Sequence, residues 1–219
     1  MQKQNADYAR IERALQETGV VAILRGIGQP ALGYMLEALY AGGIQLAEVT
    51  LNSPDAPGAI RAARAAWEGR MFIGAGTVLD AAQAEISLEA GAQFIVTPNI
   101  HEEVILRCRA DGVLIAPGAL TPTEIAHAMR LGCRYVKIFP VRAMGETYLR
   151  DVLAPLNNAR LIAVGGVDAG NIAGYVKQGA VGAGVGGNLC KVPADGNYAT
   201  ITALARDMVA AYRQAKGLG

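Results

Sequence analysis

Residues 20–51, VVAILRGIGQPALGYMLEALYAGGIQLAEVTL, hold one full repeat of the pattern that decides the fold. Val20–Leu24 and Leu46–Leu51 are short, apolar and rich in β-branched residues, the composition of strands. Between them, Leu32, Met35, Leu36 and Leu39 recur at helical spacing across Ala31–Ala41, and Gly42-Gly43 ends the stretch. A strand, a helix and a second strand in this order form a right-handed crossover unit with parallel strands. The alternation continues through Met71–Gly74, Gln93–Thr97, Val113–Ala116, Tyr135–Phe139, Leu161–Val164 and Val181–Val185.

Eight such units in 219 residues predict one α/β domain over 1–219, a compact (β/α)8 TIM barrel. An open doubly wound sheet is the alternative, because periodicity alone does not show closure. Residues 1–19 read as an N-terminal extension whose helix, Tyr8–Thr18, is expected to cover the bottom of the barrel. The last helix, Ala199–Lys216, puts Ile201, Leu204, Met208, Tyr212 and Ala215 on one face. Thr121-Pro122-Thr123-Glu124 is a capping-box sequence, and Ser53-Pro54 and Asp168 read as two further N-caps. Gly91, Gly112, Gly132 and Gly179 are placed to end helices.

Composition narrows the function. Lys and Arg total 20 against 19 Asp and Glu with no long run of either sign, so nothing points to nucleic acid or an anionic membrane surface. No apolar stretch is long enough to span a bilayer, and the polar start is unlike a signal peptide. Three scattered cysteines, Cys108, Cys133 and Cys190, fit a reduced cytoplasm. His101 and His127 belong to no cluster with metal-ligand spacing and read as structural, so neither metal nor cofactor is expected. Apolar residues are 52% and charged residues 18%, which leaves apolar surface for a subunit interface.

In a barrel of this kind chemistry sits at the carboxyl ends of the strands. Alternation along Tyr135–Phe139 puts Lys137 on the inward face, where burial disfavours the ammonium and frees an amine for attack on a ketone. A structural, ion-paired lysine is the competing reading. Glu48 shares the inward face of its strand with Leu46 and Thr50, so it is either that lysine's ion-pair partner or an acid–base group. Gly165-Gly166 and Gly186-Gly187-Asn188 follow the last two strands. There backbone amides and a helix N-terminus commonly receive a phosphate. Arg25, Asn52, Thr77 and Asn99 are polar residues at other loop edges, and Arg25 could meet an anionic group.

Taken in order, the motifs Ala22–Gly26, Glu48–Leu51, Ile73–Leu79, Val96–Asn99, Pro117-Gly118, Val136–Pro140 and Gly165–Val167 resemble the 2-keto-3-deoxy-6-phosphogluconate and -phosphogalactonate aldolases. The resemblance runs from about Val20 to Val192. It implies a class I, metal-independent lyase, usually a homotrimer, that splits a phosphorylated keto-deoxy sugar acid into pyruvate and glyceraldehyde 3-phosphate. By the same resemblance Lys137 forms the Schiff base and Glu48 is the general acid–base. Thr77, Pro98 and Phe139 line the pyruvate end, and Gly165, Gly166, Gly186 and Gly187 hold the phosphate. Two departures stand out: Asn52 where the gluconate branch often has arginine, and Gly187 where a serine is common, leaving backbone donors and Asn188. Val164 resembles the galactonate branch, so that C4 epimer is the expected substrate. The alternatives are a gluconate-specific aldolase, a phosphosugar isomerase or epimerase, and a non-catalytic phosphosugar-binding barrel.

Overall fold

The computed structural model describes residues 6–218. The ends of the expected 1–219 domain and 1–19 extension therefore lie outside the described residues. The strands are β1 (Val20–Leu24), β2 (Leu46–Thr50), β3 (Phe72–Gly76), β4 (Phe94–Val96), β5 (Leu114–Ala116), β6 (Gly118–Ala119), β7 (Val136–Ile138), β8 (Leu161–Val164) and β9 (Gly182–Val185). The helices are α1 (Tyr8–Thr18), α2 (Ala31–Ala41), α3 (Ala56–Trp67), α4 (Ala81–Glu89), α5 (Glu102–Ala110), α6 (Pro122–Arg130), α7 (Thr147–Leu153), α8 (Ile172–Lys177) and α9 (Ala199–Lys216).

All strand pairs are parallel, in the order β5-β4-β3-β2-β1-β9-β8-β7-β6. The two ends of that order are one barrel strand, broken at Pro117, whose missing amide interrupts the ladder. β5 pairs with β4 before the break and β6 with β7 after it, so the sheet closes. The open-sheet alternative is thereby set aside.

Closure sorts the side chains into two cores by strict alternation. Ala47, Val49, Ile73, Ile95, Ile115, Val136, Ile138 and Ala163 pack outward against helices. Leu46, Phe72, Phe94, Val96, Leu114, Tyr135, Ile162 and Val164 fill the interior. α1 closes the bottom of that interior with Ile11, Ala14 and Leu15. Fully burying each large apolar side chain contributes about 1.5–3 kcal/mol, enough to hold one short helix in place. Tyr135 Oη also donates to Glu12 Oε1 at 3.0 Å, and Gln93 Nε2 donates to Asp7 Oδ2 at 2.6 Å.

The capping box on α6 is present, with both of its reciprocal hydrogen bonds. Two other expected N-caps are not. α3 starts after Asp55, and the Ser53 hydroxyl accepts instead from the Gly26 amide at 2.7 Å. Asp168 opens a turn, its carboxylate accepting from the Gly170 amide at 2.9 Å, and α8 begins only at Ile172. In both places the short polar side chain found a loop amide closer than a helical one, a competition these residue types often enter. His101 stands at the N-cap position of α5, and His127 Nε2 meets Glu102 Oε1 at 3.0 Å across α6 and α5.

Candidate active site

β2 and β7 carry the two inward polar side chains. Register places Glu48 between Ile23 and Gly74, and Lys137 between Gly118 and Ile162. Both are buried, Glu48 at 2% exposed and Lys137 at 6%. They line one apolar cavity of about 30 Å³, walled by Ile23, Phe94, Val96, Ile162 and Val164 and floored by Ile11 and Leu15. Gly76 makes room for the carboxylate, since a β-carbon there would fall against the Glu48 carboxyl group. Gly74 does the same for the Phe94 ring.

Burial pushes the Glu48 carboxyl up from the usual carboxylate range, and the positive charges of Lys137 and Arg25 oppose it. Burial pushes the Lys137 ammonium down; Glu48 opposes this and Arg25 reinforces it. The pair is drawn toward neutrality, because both desolvation effects favour the uncharged forms. An uncharged amine is a nucleophile, and a carboxyl that burial makes less acidic than usual both gives and takes protons.

Above the pair, the loops after β1, β2 and β3 are tied together. Arg25 donates through Nη1 to Asn52 Oδ1 at 2.7 Å and through Nη2 to Thr77 Oγ1 at 3.3 Å. Thr77 has φ 57°, a left-handed conformation that costs a non-glycine residue about 1–3 kcal/mol and tends to persist at functional sites. Ser53 Oγ lies 3.0 Å from Thr50 Oγ1, fastening the loop that presents Asn52. On the other side of the mouth, Phe139 is 39% exposed and its ring centroid lies 4.9 Å from Lys137 Nζ. Pro98 does not line the cavity of Lys137 and Glu48. It stands behind the strand partner of Lys137, where a β-carbon on Gly118 would strike its carbonyl.

A second, open cleft of about 470 Å³ lies between the loops after β8 and β9, with Gly166, Gly186, Gly187 and Asn188 among its walls. Gly165, Gly166 and Gly187 all have positive φ, which glycine tolerates and other residues resist. Among the described residues, the Gly166 and Val167 amides donate to no protein group. The expected helix N-terminus is set back from this loop by the turn at 168–171. Val164 belongs to the inner cavity beside Lys137 and Glu48, packed on Gly184. Sequence reading overlooked Arg142, on the 3-10 turn Val141–Ala143, which lines this cleft and the shallow one at Phe139, Pro140 and Gly165. The only sequence signal for it was its place two residues after the Val136–Pro140 motif.

Residues 11–204 match the family model described as KDPG and KHG aldolase. The 2-dehydro-3-deoxy-6-phosphogalactonate aldolase of Escherichia coli (strain K12) is 38% identical over 198 residues, 90% of this chain and 95% of the relative. A solved structure described as native KDPGal is 35% identical with a TM-score of 0.85, over 99% of this chain and 100% of that one. The KDPG aldolase of Legionella pneumophila, solved with pyruvate captured as a covalent carbinolamine intermediate, is 25% identical with a TM-score of 0.82, over 90% and 97% of the two chains. The chain therefore belongs to the KDPG and KHG aldolase family, as a lyase of the class I, Schiff-base-forming kind.

Proposed function

We propose that this protein cleaves 2-dehydro-3-deoxy-6-phosphogalactonate to pyruvate and glyceraldehyde 3-phosphate, with Lys137 as the Schiff-base residue and Glu48 as the general acid–base. The observation that carries the reading is the buried amine and carboxyl sharing one apolar cavity, next to a glycine-walled cleft.

The neutral Lys137 amine attacks the C2 ketone, and the protonated Glu48 carboxyl gives its proton to the carbinolamine hydroxyl, which leaves as water, so that a protonated imine and a Glu48 carboxylate remain. Glu48 takes the C4 hydroxyl proton, the C3–C4 bond breaks, and its electron pair passes into the imine as an enamine. Glyceraldehyde 3-phosphate departs. Glu48 returns its proton to C3, and water hydrolyses the imine to pyruvate and free lysine. The Arg25–Asn52–Thr77 cluster is suited to the substrate carboxylate, with Asn52 at the position where the gluconate branch often has arginine. Phe139 closes the pyruvate end, with Pro98 behind Gly118, the strand neighbour of Lys137, and the amides around Gly165, Gly166, Gly186, Gly187 and Asn188 suit the phosphate. Anchoring the distal end supplies orientation, which can contribute several kcal/mol to a barrier.

Val164 supports the galactonate epimer, as an apolar wall beside the catalytic pair, and the Escherichia coli relative points the same way. The gluconate epimer is the second substrate to assay, given the Legionella relative. We also read the chain as a single domain that works as a homotrimer in the cytoplasm. Exposed Leu79, Ile86 and Leu106 support an interface, and three buried free cysteines support a reducing compartment. Among the described residues no helix is long and apolar enough to cross a membrane.

Borohydride reduction in the presence of pyruvate, followed by peptide mapping, tests the assignment. A reduced adduct on Lys137 is expected. An adduct on another lysine, or full activity in Lys137→Ala, would remove it.

A further inference from the structure

The glycine-walled cleft has a charge problem that its backbone does not solve. Of the residues lining it, two carry charge: Asp168 and Arg142. The Asp168 carboxylate is exposed and held at the cleft by the Gly170 amide. Without a cation such a cleft would repel a phosphoryl dianion, and Gly187, at the tip of the last loop, offers no side-chain donor.

Arg142 is built to answer this. Val141 is fully buried and anchors the 3-10 turn, and the Arg142 amide donates to Gly165 O at 3.1 Å, fixing the residue's origin beside the loop. Its guanidinium lies across Gly166: a β-carbon at that glycine would fall onto Arg142 Nε and Cζ. Gly166 thus serves twice, once through its positive φ and once by leaving the space that the guanidinium occupies. The side chain is exposed and makes no ion pair with a carboxylate among the described residues. Its fork of N–H donors is therefore available. The planar guanidinium matches two phosphate oxygens at once, which a backbone amide or a lysine does not.

We propose that Arg142 is the side-chain ligand of the substrate's phosphoryl group and the residue that makes this enzyme discriminate phosphorylated from unphosphorylated keto-deoxy sugar acids. The proposal rests on the aldolase reading above and adds a specificity residue to it. Arg142 does not touch the reacting carbons, so its contribution falls on recognition of the distal end and on the orientation that recognition supplies.

The test measures kcat/KM for 2-dehydro-3-deoxy-6-phosphogalactonate and for its unphosphorylated counterpart in wild type, Arg142→Ala, Arg142→Gln and Arg142→Lys. Competitive inhibition by inorganic phosphate is read alongside. Losing one charge-assisted contact to an ionised group should reduce the phosphorylated-to-unphosphorylated ratio about 10–100-fold in Arg142→Ala and Arg142→Gln. The inhibition constant for inorganic phosphate should rise by a similar factor. Arg142→Lys should recover part of the ratio, since it restores the charge but not the fork. Borohydride trapping of wild type with pyruvate separates the two possible failures. A wild type that forms no adduct overturns the aldolase reading and this proposal with it. A normal adduct combined with an unchanged ratio, or with equal losses on both substrates, overturns the Arg142 assignment alone.

Discussion

Replacing Lys137 and Glu48 together, by methionine and glutamine, asks whether the buried pair serves the fold or only the chemistry. Both side chains sit in an apolar cavity, at 6% and 2% exposure, and burial is the first cause of both shifted pKa values. Exchanging a buried charged pair for apolar side chains of similar volume is often neutral or stabilising by about 1–4 kcal/mol, and the amide that glutamine leaves in the cavity offsets part of that gain. The expected double variant is inactive and at least as stable as wild type, with Tm rising about 2–4 °C for each kcal/mol gained in a chain of this length. Urea unfolding and calorimetry across pH measure it, and the single variants give the sign. In Lys137→Met, Glu48 loses an opposing cation and its pKa moves further up. A carboxyl that binds its proton more tightly when folded is stabilising below its unfolded pKa, and that stability is lost as pH rises through the folded pKa. In Glu48→Gln, the lowered Lys137 pKa acts in the opposite sense: stability is full above the unfolded lysine pKa and is lost as pH falls through the folded one. Lys137→Met should therefore fall behind the double variant as pH rises. A double variant that is 3–5 kcal/mol less stable than wild type, with no such divergence, would refute the reasoning and make the pair a structural clamp.

Glu48→Gln should keep pyruvate trapping at Lys137 but lose about 10²–10⁴-fold in turnover, measured by coupled assay of glyceraldehyde 3-phosphate release. Near-normal turnover would return Glu48 to a purely structural role. Gly76→Ala should lower kcat by about 100-fold through displacement of the Glu48 carboxylate, since misplacing a catalytic group by about 1 Å costs on that order. A fully active Gly76→Ala would show that the carboxylate can move aside freely. Val164→Thr puts a hydroxyl into the inner cavity and should shift the ratio of kcat/KM for the two C4 epimers toward the gluconate form, by about tenfold for one hydrogen bond. A wild type that already prefers the gluconate epimer, with no shift in the variant, would remove Val164 from the specificity argument.

Much of this protein could be read from order and periodicity alone. Eight alternating strand and helix segments, the inward faces of Lys137 and Glu48, and the glycine pairs after the last two strands are local facts. They follow from a period of two in strands, a period near 3.6 in helices, and the backbone freedom of glycine. Even α1 was visible as an amphipathic segment, because its apolar stripe is written in consecutive residues. Contacts between distant segments were not legible. Ser53 and Asp168 carry good N-cap side chains, yet each bonds a loop amide, and which amide comes near is set by how adjacent βα loops pack. Closure at Pro117 required β4 and β7 to flank one broken strand. The Arg25–Asn52–Thr77 cluster joins three loops separated by 27 and 52 residues in sequence. Arg142 has no signature in the chain beyond its place two residues after Pro140; its position over Gly166 exists only because two loops from different βα units meet there. Sequence alone determined which residues face the barrel interior, since alternation is a property of each strand by itself. The tertiary structure decided which loop residues complete the site, since that depends on the curvature that brings eight strand ends around one axis.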